Sequence, residues 1–285
     1  MEQALDFCRQ LPTEITHETI FSIPTTLPAC QFGFESAWEG ERRGRGAGGK
    51  GVGEQRRIKS CGLLSAGEVA LGEWESLWNR GYRTFKWKIG VAPLQAELKI
   101  FHRLIQALPA SAQLRLDANG GLSLEEAHEW LGVCDRVSLP RADCVGFEPA
   151  RRRRGYPWRS VEFLEQPLPV TQFDAMLELN ERYSTQLALD ESVATIEQLE
   201  TLYHQGWQGI FVIKPCIVGS PSRLRQFCHQ HKIDTVFSSG FETAIGRYAA
   251  LQLATELSSY DRAVGFGTDC WFDEDEIPEL LWNNL

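Results

Sequence analysis

The sequence lacks any apolar run near the ~20 residues that a membrane-spanning helix needs. Its first residues also lack the charged and apolar regions of a secretory signal. Positive charge is in deficit, since 29 Lys and Arg stand against 38 Asp and Glu for a net charge of −9. A chain of this charge repels polyanions. We therefore expect a cytoplasmic protein with neither a membrane nor a nucleic-acid partner.

No C-x-x-C pair occurs, which excludes a zinc ribbon and gives no sign of a disulfide framework. The eight cysteines are scattered singly along the chain: Cys8, Cys30, Cys61, Cys134, Cys144, Cys216, Cys228 and Cys270. We interpret them as reduced thiols of an intracellular protein.

The composition, 43% hydrophobic and 24% charged, is that of an ordinary globular protein. The 285 residues fit one large α/β barrel with a small attachment as well as they fit two equal halves. A short segment, 1–39, precedes a Gly/Arg-rich stretch, 40–59, which we interpret as a linker or loop. A second basic stretch, 139–159, is interpreted as an inserted surface loop.

Between residues 60 and 272, short apolar runs alternate with amphipathic stretches of helical length, which predicts βα units around a parallel sheet. Eight such strands in series predict a closed barrel. They span residues 62–65, 84–89, 113–117, 161–165, 187–190, 209–214, 235–238 and 263–266. The residues that end the strands of such a barrel meet at one mouth, where its active sites lie.

Two lysines end the second strand, in Lys86-Trp87-Lys88. Side chains two positions apart on a strand share a face, so the two amines are predicted to lie together. Each ammonium disfavours the charge of the other, which would lower one pKa and leave an amine able to act as a base. The alternative is a solvent-facing pair on an edge strand.

Each of the next three strands ends in an acid: Asp117, Glu165 and Asp190. Three carboxylates in one site repel each other unless a cation neutralises them, and an all-oxygen set with no His or Cys favours Mg²⁺. The alternative is that one or more of these acids caps the following helix.

The sixth strand ends in Lys214, which a ring of eight strands would place across the cavity from Lys88. Amines on both faces of a carboxylate substrate suit abstraction of its α proton. After the seventh strand, Ser238-Ser239-Gly240 opens a helix whose free N–H groups could hold an anionic end of the substrate.

Together these motifs resemble the enolase superfamily, whose use of a Lys base with Mg²⁺ is a described pattern. Lys86-Trp87-Lys88 is similar to its K-x-K element, Asp117, Glu165 and Asp190 to its metal ligands, and Lys214 to its opposing lysine. This set marks the muconate-lactonizing subgroup. The resemblance implies a (β/α)7β TIM-like barrel, 60–272. It also implies an incomplete N-terminal α+β capping segment, 1–39, and a tail, 273–285, packed on that cap.

Within the subgroup, three stretches resemble the dehydratases of menaquinone and phylloquinone biosynthesis. They are Arg115-Leu116-Asp117-Ala118-Asn119, Phe163-Leu164-Glu165-Gln166-Pro167-Leu168 and Ser238-Ser239-Gly240-Phe241-Glu242-Thr243. The resemblance implies a Mg²⁺-dependent carbon–oxygen lyase acting on 2-succinyl-6-hydroxy-2,4-cyclohexadiene-1-carboxylate, with Lys88 as base and Lys214 stabilising the enediolate.

Arg115, Asn119 and Glu191 are predicted to support the site or contact the substrate, as are Lys86, Ser238, Ser239 and Gly240. The alternatives are an N-acylamino acid racemase, a dipeptide epimerase and a barrel with impaired activity. The expected partner is a small carboxylate, and the chain itself could form a homo-oligomer.

Overall fold

The computed structural model describes residues 2–46, 58–138, 160–258 and 260–267. The chain divides into two compact units. The first unit is Ser60–Glu191 with Gln208–Ile210, and the second unit is Met1–Lys59 with Ser192–Trp207 and Phe211–Leu285. No helix in the described part of the chain combines the length and the apolar character needed to cross a bilayer.

The described elements follow one another in the order predicted for βα repeats. The strands are β1 Cys61–Leu64, β2 Thr84–Lys88, β3 Gln113–Asp117, β4 Ser160–Glu165, β5 Leu187–Leu189, β6 Ile210–Ile213 and β7 Asp234–Phe237. The helices are α1 Glu2–Arg9, α2 His17–Phe21, α3 Pro28–Gly46, α4 Ala70–Asn79, α5 Leu94–Ala107, α6 Leu124–Ser138, α7 Phe173–Arg182, α8 Ile196–His204, α9 Pro215–Val218, α10 Pro221–Gln230 and α11 Ala244–Leu257.

In the first unit, β1 to β5 form a parallel sheet in chain order. Most residues of these strands are buried, as expected of parallel strands flanked by helices, and the exposed ones among the described side chains are Leu63, Lys88 and Gln113. Trp87 of β2 packs edge-on to Trp130 of α6 at 6.3 Å between ring centroids, and Phe101 of α5 meets Trp130 at 5.4 Å. This aromatic cluster fixes α5 and α6 against the outer face of β2.

The second unit holds β6 and β7 together with helices packed around α3. Arg225 of α10 joins Glu39 of α3 to Glu256 of α11 through its guanidinium. Glu35, which is 2% exposed, accepts the Ser222 N–H at 3.0 Å. These contacts hold α3 in place, which explains why the helix continues to Gly46, seven residues into the predicted linker 40–59. Residues 47–57 of that linker lie outside the described residues.

Seven of the eight predicted strands form within one residue of their predicted bounds. The prediction of a full eighth strand at 263–266 is wrong, since this segment contains isolated bridge residues, Val264 and Gly265, of which Gly265 pairs in parallel with Ser238. Val264 N–H donates to the C=O of Lys59, and Gly265 N–H to that of Phe237, both at 2.7 Å. The segment therefore has β-type partners on both sides, but too few successive residues to extend the ladder. The predicted loop 139–159 and tail 273–285 lie outside the described residues.

Candidate active site

The ends of three neighbouring strands in the first unit carry the predicted base and two predicted metal ligands. Lys88 of β2 is the register partner of Asp117 of β3, and Asp117 is the partner of Glu165 of β4. Because side chains in register on parallel strands share a face, the three groups stand in a row at the carboxyl edge of the sheet.

A bulge in β4 sets this row. The β3–β4 register shifts at Arg115 because Glu162 is one residue more than β3 can pair. Without the bulge, with Glu162 paired in the ladder, Leu164 rather than Glu165 would stand opposite Asp117. The same bulge directs Glu162 at Arg115, where its Oε2 accepts the Arg115 Nε–H at 2.7 Å.

Two residues with a left-handed backbone conformation follow the strand ends, within two positions of the acids. Asn119 has φ 44° and Gln166 has φ 37°, an uncommon conformation for residues other than glycine. Asn119 N–H donates to Asp117 Oδ1 at 3.1 Å, and the Gln166 side-chain oxygen accepts the Asp190 N–H at 3.0 Å. The turn after β4 thereby holds the backbone of the third acid, at the end of β5.

The three acids are buried and interact with one another. Asp117, Glu165 and Asp190 are 7%, 2% and 5% exposed. Burial raises the pKa of Glu165, the Lys86 charge lowers it, and the charges of Asp117 and Asp190 raise it further, so that the net direction is upward. The site thus disfavours a third negative charge unless more positive charge arrives.

The donor set fits Mg²⁺, which prefers carboxylate oxygens and relieves the repulsion among them. In the described residues, however, no group of three or more His, Cys, Asp or Glu side chains is arranged so that it could hold a metal ion. The Lys86 ammonium lies between two of the acids instead, at 2.7 Å from both Asp117 Oδ2 and Glu165 Oε1. A lysine cation therefore neutralises one oxygen of each of these two acids.

The lysine pair behaves differently from the sequence prediction. Lys86 and Lys88 share a face as predicted, with Phe85 and Trp87 fully buried on the other. Burial alone would lower the pKa of Lys86, but the charges of Glu165 and Asp117 and the hydrogen bonds to them raise it. At Lys86 two carboxylates therefore outweigh the repulsion from one neighbouring ammonium, so this lysine is not the amine with a lowered pKa that the pair was predicted to contain. The Lys88 side chain is exposed at the strand end.

The other predicted residues of the first unit lie around the acids. Arg115 is 1% exposed, pairs with Glu162 and lies over the Phe163 ring at 4.8 Å, one layer beneath Asp117. Asn119 Nδ2 donates to Glu191 Oε1 at 3.0 Å. Glu191 Oε2 is buried and has no hydrogen-bond partner among the described residues. Asn119 and Glu191 thus meet at the mouth, whereas Arg115 supports the ligand strand from below.

Lys214 directly follows β6 in the second unit, as predicted. Its backbone C=O accepts the N–H groups of Ile217 and Val218, each at 2.9 Å, so that it begins the short helix α9. The side chain is half-buried. Its predicted place opposite Lys88 stays a prediction.

The N–H and O–H groups of the loop after β7 hydrogen-bond to acceptors within the same loop. Gly240 N–H donates to Glu242 Oε2 at 2.7 Å, and Phe241 N–H donates to Ser239 Oγ at 3.1 Å. Ser239 Oγ also donates to Glu242 Oε1 at 3.0 Å. The amides of Gly240 and Phe241, expected to be open to an anionic substrate, are therefore paired inside the loop. Contact of Ser238, Ser239 and Gly240 with substrate stays a prediction.

Sequence reasoning missed two residues that fix this loop, Cys216 and Glu242. The Cys216 thiol donates to Glu242 Oε2 at 3.3 Å, and burial together with that carboxylate raises its pKa to about 12. A Cβ on Gly240 would lie 2.4 Å from Cys216 Sγ. Ser238 Oγ donates to the Gly265 C=O at 3.2 Å. An acid two residues after a glycine was the one available signal; the cysteine gave none.

Comparison with known proteins places this geometry in a family. A model of the enolase C-terminal domain-like family matches residues 150–279. A curated o-succinylbenzoate synthase from Thermosynechococcus vestitus is 37% identical over 287 residues, which covers 98% of this chain and 80% of that protein. A crystal structure of o-succinylbenzoate synthase from Thermosynechococcus elongatus BP-1, complexed with Mg in its active site, matches with a TM-score of 0.79 at 34% identity. It covers 100% of this chain and 82% of its own.

The fold extends to more distant proteins. A substrate-liganded L-Ala-D/L-Glu epimerase from Bacillus subtilis matches with a TM-score of 0.71 at 17% identity, covering 96% of this chain and 74% of its own. The parallel sheet with acids at its strand ends is therefore the TIM-like α/β barrel of the enolase superfamily, as predicted. Within that superfamily, the chain belongs to the o-succinylbenzoate synthase family.

Proposed function

We propose that this protein is a Mg²⁺-dependent lyase that dehydrates 2-succinyl-6-hydroxy-2,4-cyclohexadiene-1-carboxylate to o-succinylbenzoate. The observation that carries the proposal is 37% identity over 98% of the chain with a curated o-succinylbenzoate synthase. The Mg complex of the crystallised synthase supports Mg²⁺ as the cofactor. The product serves menaquinone or phylloquinone biosynthesis.

Asp117, Glu165 and Asp190 are the residues we assign to Mg²⁺. Their support is the register of Asp117 with Glu165 and the burial of all three, which together with the charges of Asp117 and Asp190 raises the pKa of Glu165. When bound, Mg²⁺ supplies the positive charge that stabilises negative charge growing on the substrate carboxylate.

Lys88 is the base in this proposal. Its amine removes the proton at C1 of the ring, and the electron pair of the broken C–H bond moves into the carboxylate to give an enediolate. Lys214 faces the enediolate as a second cation and stabilises it. The Lys88 ammonium then gives its proton to the departing hydroxyl at C6, so that water leaves and the ring becomes aromatic.

Lys86 keeps a different role from Lys88, although only one residue separates them. The Lys86 ammonium is held between Asp117 Oδ2 and Glu165 Oε1, at 2.7 Å from each. We assign it to holding Asp117 and Glu165 together. This division explains why a strand end with two lysines would use only the outer one as a base.

The test is an absorbance assay that follows loss of the cyclohexadiene, with Mg²⁺ and with EDTA. We expect turnover only with Mg²⁺, and loss of turnover in Lys88→Ala with the fold retained by circular dichroism. Glu165→Gln should weaken Mg²⁺ binding in a titration. Product formation at the wild-type rate by Lys88→Ala would remove it as base, and an inactive wild-type protein with Mg²⁺ would refute the proposed function.

A racemase or epimerase is the alternative on the same fold, and the 17% identical epimerase supports only the fold. Incubation with N-acylamino acids in D₂O distinguishes it, because a racemase exchanges the α proton without dehydration. The cytoplasmic location and the homo-oligomer stay predictions, which cell fractionation and light scattering test.

A further inference from the structure

A buried carboxylate accepts hydrogen bonds from the turn that follows the candidate base. Glu97 lies on α5 and is 1% exposed. Its Oε2 accepts the N–H of Gly90 at 2.8 Å, and its Oε1 accepts those of Val91 and Ala92, each at 3.0 Å. One side chain thus satisfies three consecutive backbone donors of the β2–α5 turn.

These hydrogen bonds stabilise both the N–H groups of the turn and the buried carboxylate of Glu97. Buried N–H groups without acceptors would cost free energy, and a carboxylate out of water needs several donors to stay charged. Glu97 also lies in the first turn of α5, where negative charge is favoured by the helix dipole. The turn is compact: Gly90 has φ 75°, and a Cβ there would lie 3.2 Å from Leu122 Cδ2.

The turn that hydrogen-bonds to Glu97 begins two residues after Lys88. Ile89, which is fully buried, donates its N–H to the Asp117 C=O at 2.9 Å. Gly90 is the next residue and is the first that Glu97 holds. The backbone of Lys88 is therefore tied to β3 and to α5 within two residues, whereas its side chain is exposed.

We propose that Glu97 is a positioning residue for Lys88, and that its carboxylate fixes the β2 end so that the Lys88 amine meets the substrate proton. This inference rests on the proposed function, in which Lys88 is the base. Glu97 touches neither the base nor any of the three acids, so its effect passes through the backbone of residues 89–92. A displacement of about 1 Å at a reacting group is enough to cost about 100-fold in rate.

Glutamine is the informative replacement, since Glu97→Gln keeps the size and leaves one acceptor oxygen for three donors. An amide NH₂ would then face at least one of the N–H groups of Gly90, Val91 and Ala92. The turn must move to relieve this contact. Glu97→Asp keeps the charge on a shorter arm, and serves as the second variant where Glu97→Gln does not fold.

The chain offers two matched controls. Glu73 of α4 accepts the N–H and Oγ–H of Ser65, each at 2.7 Å, after β1, a strand that carries no candidate base. Glu35 is buried like Glu97 and accepts the Ser222 N–H. Glu73→Gln repeats the change at a neighbouring βα turn, and Glu35→Gln shows the cost in stability of altering a buried carboxylate elsewhere.

The experiment measures kcat, KM and the deuterium isotope effect on kcat with substrate labelled at C1, using the full chain with saturating Mg²⁺. For Glu97→Gln we expect kcat to fall about 10- to 100-fold, KM to change less than about threefold, and the isotope effect to rise because proton transfer becomes slower. Both controls should keep kcat within about twofold, whatever their melting temperatures.

A kcat within twofold of wild type in folded Glu97→Gln, or in Glu97→Asp where the first does not fold, would overturn the inference. An equal loss of kcat in Glu73→Gln would also overturn it, because the effect would then be general to βα turns. A wild-type protein that forms no product would instead refute the proposed function together with this inference.

Discussion

Replacing Lys86 by methionine tests whether this lysine holds the acids together before any metal binds. Lys86→Met keeps the length and apolar stem of the side chain but removes the charge between Asp117 and Glu165. The side chains of Lys86, Asp117 and Glu165 are 17%, 10% and 2% exposed, so the lost interactions are largely shielded from water. Removing one partner of a buried ion pair typically costs about 3–5 kcal/mol. In a chain of this size, that corresponds to about 6–20 °C in Tm.

The assay is thermal unfolding in EDTA and again with Mg²⁺. We expect Lys86→Met to lose its stability chiefly in EDTA and to regain part of it with Mg²⁺, since the metal ion supplies positive charge to the same oxygens. Lys59→Met is the matched control, because the Lys59 pair with Asp261 is exposed and contributes little. A Tm within 2 °C of wild type in EDTA would refute the reasoning.

The pH dependence of the same variant has a definite sign. An acid whose folded pKa is raised stabilises the protein below its unfolded pKa, and this contribution is lost as pH rises through the folded value. Glu165 already has a raised pKa, and loss of the Lys86 charge raises it further. The deficit of Lys86→Met should therefore change little up to the folded pKa of wild-type Glu165, about 8, because the carboxyl is protonated in both folded proteins there, and should grow above that value; a deficit independent of pH across this value would contradict this account.

Two further predictions concern packing and the buried ion pair. Gly240→Ala places a Cβ 2.4 Å from Cys216 Sγ and should lower the free energy of unfolding in urea by about 1–3 kcal/mol. Gly72→Ala, on α4 with no atom within 4 Å of the added Cβ, should raise it by about 0.5–1 kcal/mol. Equal effects of the two variants would contradict the packing argument. Arg115→Met removes the cation of the buried pair with Glu162 and should lower the free energy of unfolding by about 3–5 kcal/mol. Adding Glu162→Leu should restore most of that loss. No recovery in the double variant would show that the ion pair is not the cause.

The strands and their order could be predicted because buried parallel strands read as short apolar runs between helical stretches. The eighth strand was harder to judge from its residues. Ala263 and Val264 have strand-like character, but Gly265 is required by close approach, since a Cβ there would lie 2.5 Å from Ser238 Oγ. The sequence pattern shows which segments suit a strand, whereas the length of a ladder depends on neighbours far along the chain.

The acids of the site could be named from the sequence, but their arrangement could not. That Asp117 faces Glu165 depends on the extra residue Glu162, and a bulge leaves no mark in the apolar pattern of β4. The raised pKa of Lys86 could not be predicted for a related reason. The spacing of two lysines is visible in one strand, whereas the acids that outweigh their repulsion come from two other strands.

The bulge also explains how three acids can gather at one edge before a metal ion arrives. Lys86 and Arg115 are register partners on β2 and β3, so two cations stand side by side one layer beneath Lys88 and Asp117. Each reaches across to β4, Lys86 to Glu165 and Arg115 to the bulged Glu162. The layer under the acids is therefore cationic, and it offsets part of their repulsion while leaving Lys88 outside both ion pairs. A regular β4 would instead turn Leu164 toward Asp117, so this local irregularity of the strand is what brings the second acid into line with the first.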